Sequence, residues 1–385
     1  MKSNYKSIGE LVDRIDERNK DGSITTLIGV SIDKRFIPSV ANVIGTDLTT
    51  YKVIRKYDFA VSLMQVSRDE KIPVACQKEY DAAIMSPAYP IFRVKDENVI
   101  LPEYLEMWFM RNEFDREASF VAVGGVRGSM PWEEFAKLRL PVPNIEVQRD
   151  IVSSYKTITD RITLKKQIND NLVTALSTYY KELFADADTC FPKVALQVLC
   201  SKIGSGATPK GGKAAYVDEG ISLIRSTNVF DFSFEYDELA HITQGQADAL
   251  SNVVVEQNDV LFNITGVSVA RCCMVPNDVL PARVNQHVMI VRPYKGEAMS
   301  YYIMFTLCSA DNKAKLLGIG QSGSTREAIN KQELESFEIP LPDDALVQDF
   351  GTAAKKIYNH IQTNVREIHA LDEMKKVLLA QLSSR

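Results

Sequence analysis

Residues 204–216, GSGATPKGGKAAY, are the stretch that most invites a chemical reading. Glycines beside a lysine suit a phosphate cradle, where backbone N–H groups approach the anion and an ammonium follows. The spacing fails for a nucleotide loop. Ala207 stands where the first glycine of G-x-x-x-x-G-K-[ST] belongs, and Ala214 replaces the hydroxyl residue that would meet a metal. What survives is a loop able to meet nucleic-acid phosphates through N–H groups and Lys210 or Lys213, or an ordinary turn.

Other catalytic patterns fare no better. The four histidines, His241, His287, His360 and His369, are scattered along the chain, and no metal site is expected among them. His287 borders a strand as a structural or contact residue, while His360 and His369 fall at the solvated flanks of the last helix. There is no nucleophile elbow, no kinase signature and no dinucleotide fingerprint. The tetrapeptide with which amino-methyltransferases hold a target base is also missing. By itself the chain is expected to be non-catalytic and to hold no metal.

The elements that would position contact residues are dominated by a helix over about 145–184. Its apolar positions step by four and three: Ile151, Tyr155, Ile158, Ile162, then Leu172, Leu176, Tyr179 and Leu183. Lys165 and Asn169 fill the two steps between. A repeat of about 3.5 residues is the seam of a coiled coil. Adding 199 to each of the first ten positions used gives Phe350, Ala354, Ile357, Ile361, Asn364, Ile368, Leu371, Lys375, Leu378 and Leu382, eight of them apolar. Two long helices with matching seams are expected to pair, parallel or antiparallel. The polar seam residues Lys165, Asn169, Asn364 and Lys375 either fix register or open toward a partner.

The same offset extends upstream. GGVRGSMPWEEFAKLRLPVP faces GSTREAINKQELESFEIPLP, pairing Gly124 with Gly323, Arg127 with Arg326, Pro141 with Pro340 and Pro143 with Pro342. Tyr57-Asp58-Phe59 corresponds to Asn258-Asp259-Val260 at an offset of 201. The chain is therefore an internal duplication. Each copy opens with a helical pattern (KSIGELVDRIDERN; PKVALQVLCSKI) and continues through short β-branched strands such as YKVIRKYDFAVS and VLFNIT. One helix follows in each, PEYLEMWFMRNEFDREA or AMSYYIMFTLCSADNKAKLL, and then a turn and a proline-stopped connection. The expected fold class is α+β: globular domains over 1–144 and 186–343, each followed by a long helix, 145–185 and 344–385.

Composition sets the bounds. The chain has 385 residues, 45% apolar and 25% charged, as a soluble multidomain protein would. No apolar run reaches a membrane span, and the N-terminus lacks a secretory h-region. Six cysteines without CxxC spacing point to reduced thiols and a cytoplasmic setting. The net charge of −5 counts against a free-standing nucleic-acid binder and fits a subunit that gives surface to protein partners. A protein scaffold without DNA readout is the alternative that this charge supports.

The arrangement resembles the specificity (S) subunit of type I restriction-modification enzymes over nearly the whole chain. In the first half the resemblance rests on DERNKDG, LIGVSIDKRFIPS, GTDLTTYKVI, SRDEKIPVA, SPAYPIF and GGVRGSM. In the second it rests on GSGATPKGG, ISLIRSTNV, NDVLFNITG, VNQHVMIVRP, GQSGSTREAIN and EIPLP. It implies two target-recognition domains, each reading half of a bipartite site in double-stranded DNA, with the paired helices as spacer. It also implies two methyltransferase subunits as partners, restriction subunits where the system cleaves, and no cofactor on this chain, the methyltransferase using S-adenosylmethionine. Candidate DNA contacts in the first half are Lys34, Arg35, Arg68, Lys71, Ser86, Arg127 and Ser129. In the second they are Thr208, Lys210, Lys213, Arg225, Ser226, Asn228, Arg271, Asn285, Gln286, Gln321, Ser324 and Arg326. Arg, Asn and Gln suit base edges and Lys suits phosphate. Arg127 and Arg326 stand out because both copies carry them in the same turn.

Overall fold

A computed structural model describes residues 4–39, 46–123, 128–321 and 327–383. Two compact units emerge: Met1–Asp160 with Asp372–Arg385, and Arg161–Leu371. The boundary thus falls inside both long helices, Ile145–Leu183 and Asp344–Ala380. Each unit combines one globular domain with a stretch of each helix.

The first unit carries β1 (Tyr5–Ser7), β2 (Val12–Ile15), β3 (Ile28–Val30), β4 (Phe36–Pro38) and β5 (Lys52–Arg55). It continues with β6 (Phe59–Val61), β7 (Val74–Cys76), β8 (Ala82–Met85), β9 (Ile91–Val94) and β10 (Arg139–Pro141). Its main sheet has the order β2-β9-β6-β7, all antiparallel, with β5–β8, β3–β4 and β1–β10 as separate pairs. Beneath the main sheet lies an aromatic core in which Phe59 and Phe92 stack at 5.2 Å and Phe109, Phe114 and Phe135 close around them.

The second unit carries β11 (Lys193–Ala195), β12 (Cys200–Ser205), β13 (Ile221–Ile224), β14 (Val229–Phe230), β15 (Ser233–Phe234) and β16 (Ala240–Ile242). Then come β17 (Val254–Val255), β18 (Val260–Asn263), β19 (Cys272–Met274), β20 (Ala282–Val284), β21 (Val288–Pro293) and β22 (Glu338–Pro340). The order β12-β21-β18-β19 repeats the first unit's main sheet, and β11–β22 repeats β1–β10. A second sheet, β16-β13-β20-β17, contains the parallel pair β13–β20.

The duplication reaches individual side chains. Asp58, fully buried, takes Arg93 in a bidentate pair (2.5 and 3.0 Å), and buried Asp259 takes Arg292 in the same way (2.7 and 2.8 Å). Each aspartate also accepts a backbone N–H three residues back, from Arg55 at 2.9 Å and from Glu256 at 2.7 Å. Tyr104 and Tyr302 each donate to a proline carbonyl, of Pro141 and Pro340.

Two expectations need correction, each in both copies. The opening segments are helical for only one turn, Ile8–Leu11 and Leu196–Leu199, before becoming β2 and β12. The main sheet needs these strands beside β9 and β21, and tertiary pairing overrides the helical period. The single helix expected later is two, Pro102–Phe109 with Asn112–Val121 and Glu297–Cys308 with Ala310–Gln321. At the second break Ser309 is extended, and its backbone N–H, its hydroxyl and the Asn312 amide all donate to the Thr306 carbonyl.

The seam holds as an antiparallel pair. Ile151 and Tyr155 share a cluster with Leu378 and Leu382, while Tyr179 lies over Phe350 at 6.1 Å. Ile162, Leu176, Ile361 and Leu371 are buried, and Ile158, Leu172, Ile357 and Ile368 are half-buried. At the polar steps Lys165 Nζ donates to Asn364 Oδ1 at 2.9 Å and pairs with Glu367 at 2.6 Å. Asn364 Nδ2 donates to Asn169 Oδ1 at 2.8 Å, and Lys375 pairs with Asp372. His360 is exposed, but His369 is half-buried with its ring stacked on Tyr236, not at a solvated flank. Among the described residues no helix is long and apolar enough to cross a membrane.

Candidate nucleic-acid interface

Strand ends in the second unit converge through backbone hydrogen bonds. Gly206 N–H, just past β12, donates to the Asn285 carbonyl at 3.1 Å, and Asn285 N–H donates to Ile224 at the end of β13. Ile264 N–H, past β18, donates to His287 at 3.0 Å, and Gly266 N–H reaches the Glu327 carbonyl at 2.8 Å. The connections after β12, β13, β18 and β20 and the segment before Ile329 therefore form one end of the unit. Gly206 is required there because a Cβ would lie 1.8 Å from the Val284 carbonyl oxygen. Gly206→Ala should displace the Thr208 loop and cost about 1–3 kcal/mol, as overpacking does. Thermal unfolding measures that cost, and a melting curve matching the wild type would show that the loop yields freely.

This end carries a continuous polar chain. Thr208 donates its hydroxyl to Gln286 Oε1. The Gln286 carboxamide nitrogen lies 3.1 Å from His287 Nε2, and His287 Nδ1 lies 2.7 Å from Thr265 Oγ1. Beside it Val267, in the turn Gly266–Ser268, is 96% exposed. Thr265 and Val267 escaped the sequence reading because a loop residue has no periodicity to mark it.

The first unit builds an equivalent end. Ser62 N–H, past β6, donates to Pro73, Val61 N–H donates to Pro90, and Met130 N–H donates to Leu63 at 2.9 Å. The β6–β7 and β8–β9 connections and residues 128–130 meet as β18–β19, β20–β21 and 327–329 do. Gly128, at φ +70°, sits so close that a Cβ would lie 2.5 Å from Ser67 Oγ. Arg68, Lys71, Ser86 and Ser129 belong to this end. Arg68 and Lys71 are exposed, Arg68 already bonded to Asp69 and Gln65. Ser86 accepts from Ala88 N–H at 3.4 Å. Arg35 is exposed in the β3–β4 turn.

Three candidates are structural instead. Lys34 is buried, donating to the Phe109 carbonyl at 2.5 Å and pairing with Asp115 at 2.8 Å. Burial lowers its ammonium pKa and Asp115 opposes the shift. Asn228 is fully buried, accepting from Arg225 N–H at 3.0 Å and donating to Glu235 at 2.9 Å. Asn285 is buried and accepts from His287 N–H at 2.9 Å. Each uses its polar atoms to close a turn or a core. Arg225 is largely committed too, its guanidinium donating to the Glu238 carbonyl and lying over Tyr216 at 5.7 Å. Arg271 lies over Phe230 at 4.7 Å, and Ser226 is half-buried. Lys210, Lys213 and Gln321 are exposed. Arg127, Ser324 and Arg326 lie outside the described residues.

No family model matches the chain. A curated relative, the type I restriction enzyme HindI specificity subunit of Haemophilus influenzae, is 22% identical over 189 residues, 47% of this chain and 40% of that protein. The match thus spans less than half the length of that relative. Among solved structures, the type I restriction-modification S subunit from M. genitalium aligns over 98% of this chain and 95% of its own, at 12% identity and a TM-score of 0.58. The chain has the fold of a type I specificity subunit. The HsdS subunit from Thermoanaerobacter tengcongensis aligns over 100% and 97% of the two chains at 17% identity, with a TM-score of 0.35. The alignment with the M. genitalium S subunit runs through both globular regions and both long helices.

Proposed function

We propose that this chain is the DNA sequence-specificity subunit of a type I restriction-modification system. Each unit reads one half of a bipartite site in double-stranded DNA, and the helix pair sets the spacing between the halves. The chain also scaffolds two methyltransferase subunits, which bring S-adenosylmethionine, and restriction subunits where the system cleaves. It works without chemistry of its own, in the cytoplasm where the DNA is. The observation that carries this reading is the repeated convergence: two units that share a main sheet gather matching connections at one end, each furnished with exposed polar side chains. The net charge of −5 favours a second reading, a protein scaffold that leaves DNA to its partners.

Binding by the complex with methyltransferase subunits separates the two. Scrambling either half of the methylated motif should weaken binding roughly 100-fold or more, since each wrong base pair costs about 1–3 kcal/mol. Affinity should also fall steeply with salt, by roughly 0.9 log unit per log unit for every phosphate neutralised. Equal affinity for intact and scrambled duplexes would leave only the scaffold.

A further inference from the structure

The polar chain of the second unit carries a finer assignment, which rests on the reading of that unit as a half-site reader. A glutamine carboxamide offers two oxygen lone pairs and two N–H donors. At Gln286 one lone pair takes the Thr208 hydroxyl and one N–H faces His287 Nε2. Reversing the amide makes Thr208 the acceptor and His287 the donor, and the count is unchanged. Either way one donor and one acceptor on this exposed side chain have no partner among the described residues.

The support behind Gln286 is itself fixed. His287 is held by Thr265 through Nδ1 and by Asn285 Oδ1 through its backbone N–H, and Thr265 bridges to Ala328 in the backbone. A flexible side chain tied at two points has lost its rotamer freedom before any ligand arrives, so less binding energy goes to ordering it. One donor beside one acceptor matches the major-groove edge of adenine, where N7 accepts and the N6 amino group donates. Guanine shows two acceptors there and would satisfy only the donor. Thymine and cytosine each present a single polar group.

We propose that Gln286 reads an adenine in the half-site of the second unit, with Thr208 and His287 as positioning residues. The test uses the complex with methyltransferase subunits and duplexes carrying its methylated motif. Each adenine of the second half-site is replaced in turn by 7-deazaadenine, which lacks the N7 acceptor. One position should weaken wild-type binding roughly 5- to 100-fold, the range of a bidentate base contact. Gln286→Ala should weaken binding to the unmodified duplex by a similar factor and lose nothing further at that position.

Thr208→Val should lower discrimination between adenine and guanine there, and Thr208→Ser should restore it. Because Gln286 is exposed, an unchanged melting temperature for Gln286→Ala confirms that the fold is intact. Specific binding in which no adenine position couples to Gln286 would overturn this assignment alone. A wild-type complex that prefers no duplex would instead remove the half-site reading beneath it.

Discussion

Asp259→Ala should lower the stability of the second unit by about 3 kcal/mol, and Asp58→Ala should do the same in the first. Each carboxylate is fully buried and binds three donors: two from an arginine and one from a backbone N–H. Burial raises the pKa of Asp259, so the charged pair depends on Arg292 opposite it, whose charge is in turn held by its hydrogen bonds to Asp259. Removing the aspartate strands a guanidinium and a backbone donor together. Arg292 keeps Glu256 and the Val254 carbonyl, and Arg93 is 46% exposed and can turn to water. These alternatives hold the loss at the lower end of the range of about 3–5 kcal/mol for broken buried pairs. Asparagine at either position should recover part of it by keeping the hydrogen bonds. Hydrogen exchange locates the effect: Asp259→Ala should loosen β18–β21 and leave β6–β9 protected. Equal loosening of both sheets would mean that the two units unfold as one.

These pairs also mark the limit of what the sequence makes legible. Asp58 and Asp259 align at a fixed offset, but their arginines lie 35 and 33 residues away and only the sheet brings them together. The duplication itself was visible because the proline turn and the seam repeat without insertions, and a seam has a period that survives substitution. Contact residues have no such signature. Asn228 and Asn285 are of the type that reads a base edge and also of the type that caps a turn, and burial alone separates the roles. Lys34 is of the type that meets phosphate, and only the fold brings it to Asp115, distant in sequence. The opening segments have a helical period over too few residues to resist a neighbouring strand. The converging ends could not be seen at all, since they are made by backbone hydrogen bonds between loops.

The polar middle of the seam sharpens how spacing would be set. Lys165, Asn169, Asn364 and Glu367 satisfy one another within the chain, as a register lock requires. Slipping one helix by a heptad would set Lys165 against Leu371 or Ile357 and leave its ammonium among apolar side chains. That is costly enough to exclude the shifted register. Adding one heptad to each helix at matched levels, after Asp160 and after Ile368, should keep the lock and lengthen the pair by about 10 Å. On DNA this is about three base pairs, and three base pairs also turn the duplex by roughly 100°. The preferred site should therefore gain about three unspecified base pairs with both half-sites unchanged, at reduced affinity because the readers now meet the groove out of phase. A heptad added to one helix alone should abolish specific binding by breaking the lock. Sequencing of the methylated motif in cells carrying each variant reads the outcome directly. A lengthened pair that still marks the original spacing would show that something other than the helices measures the distance.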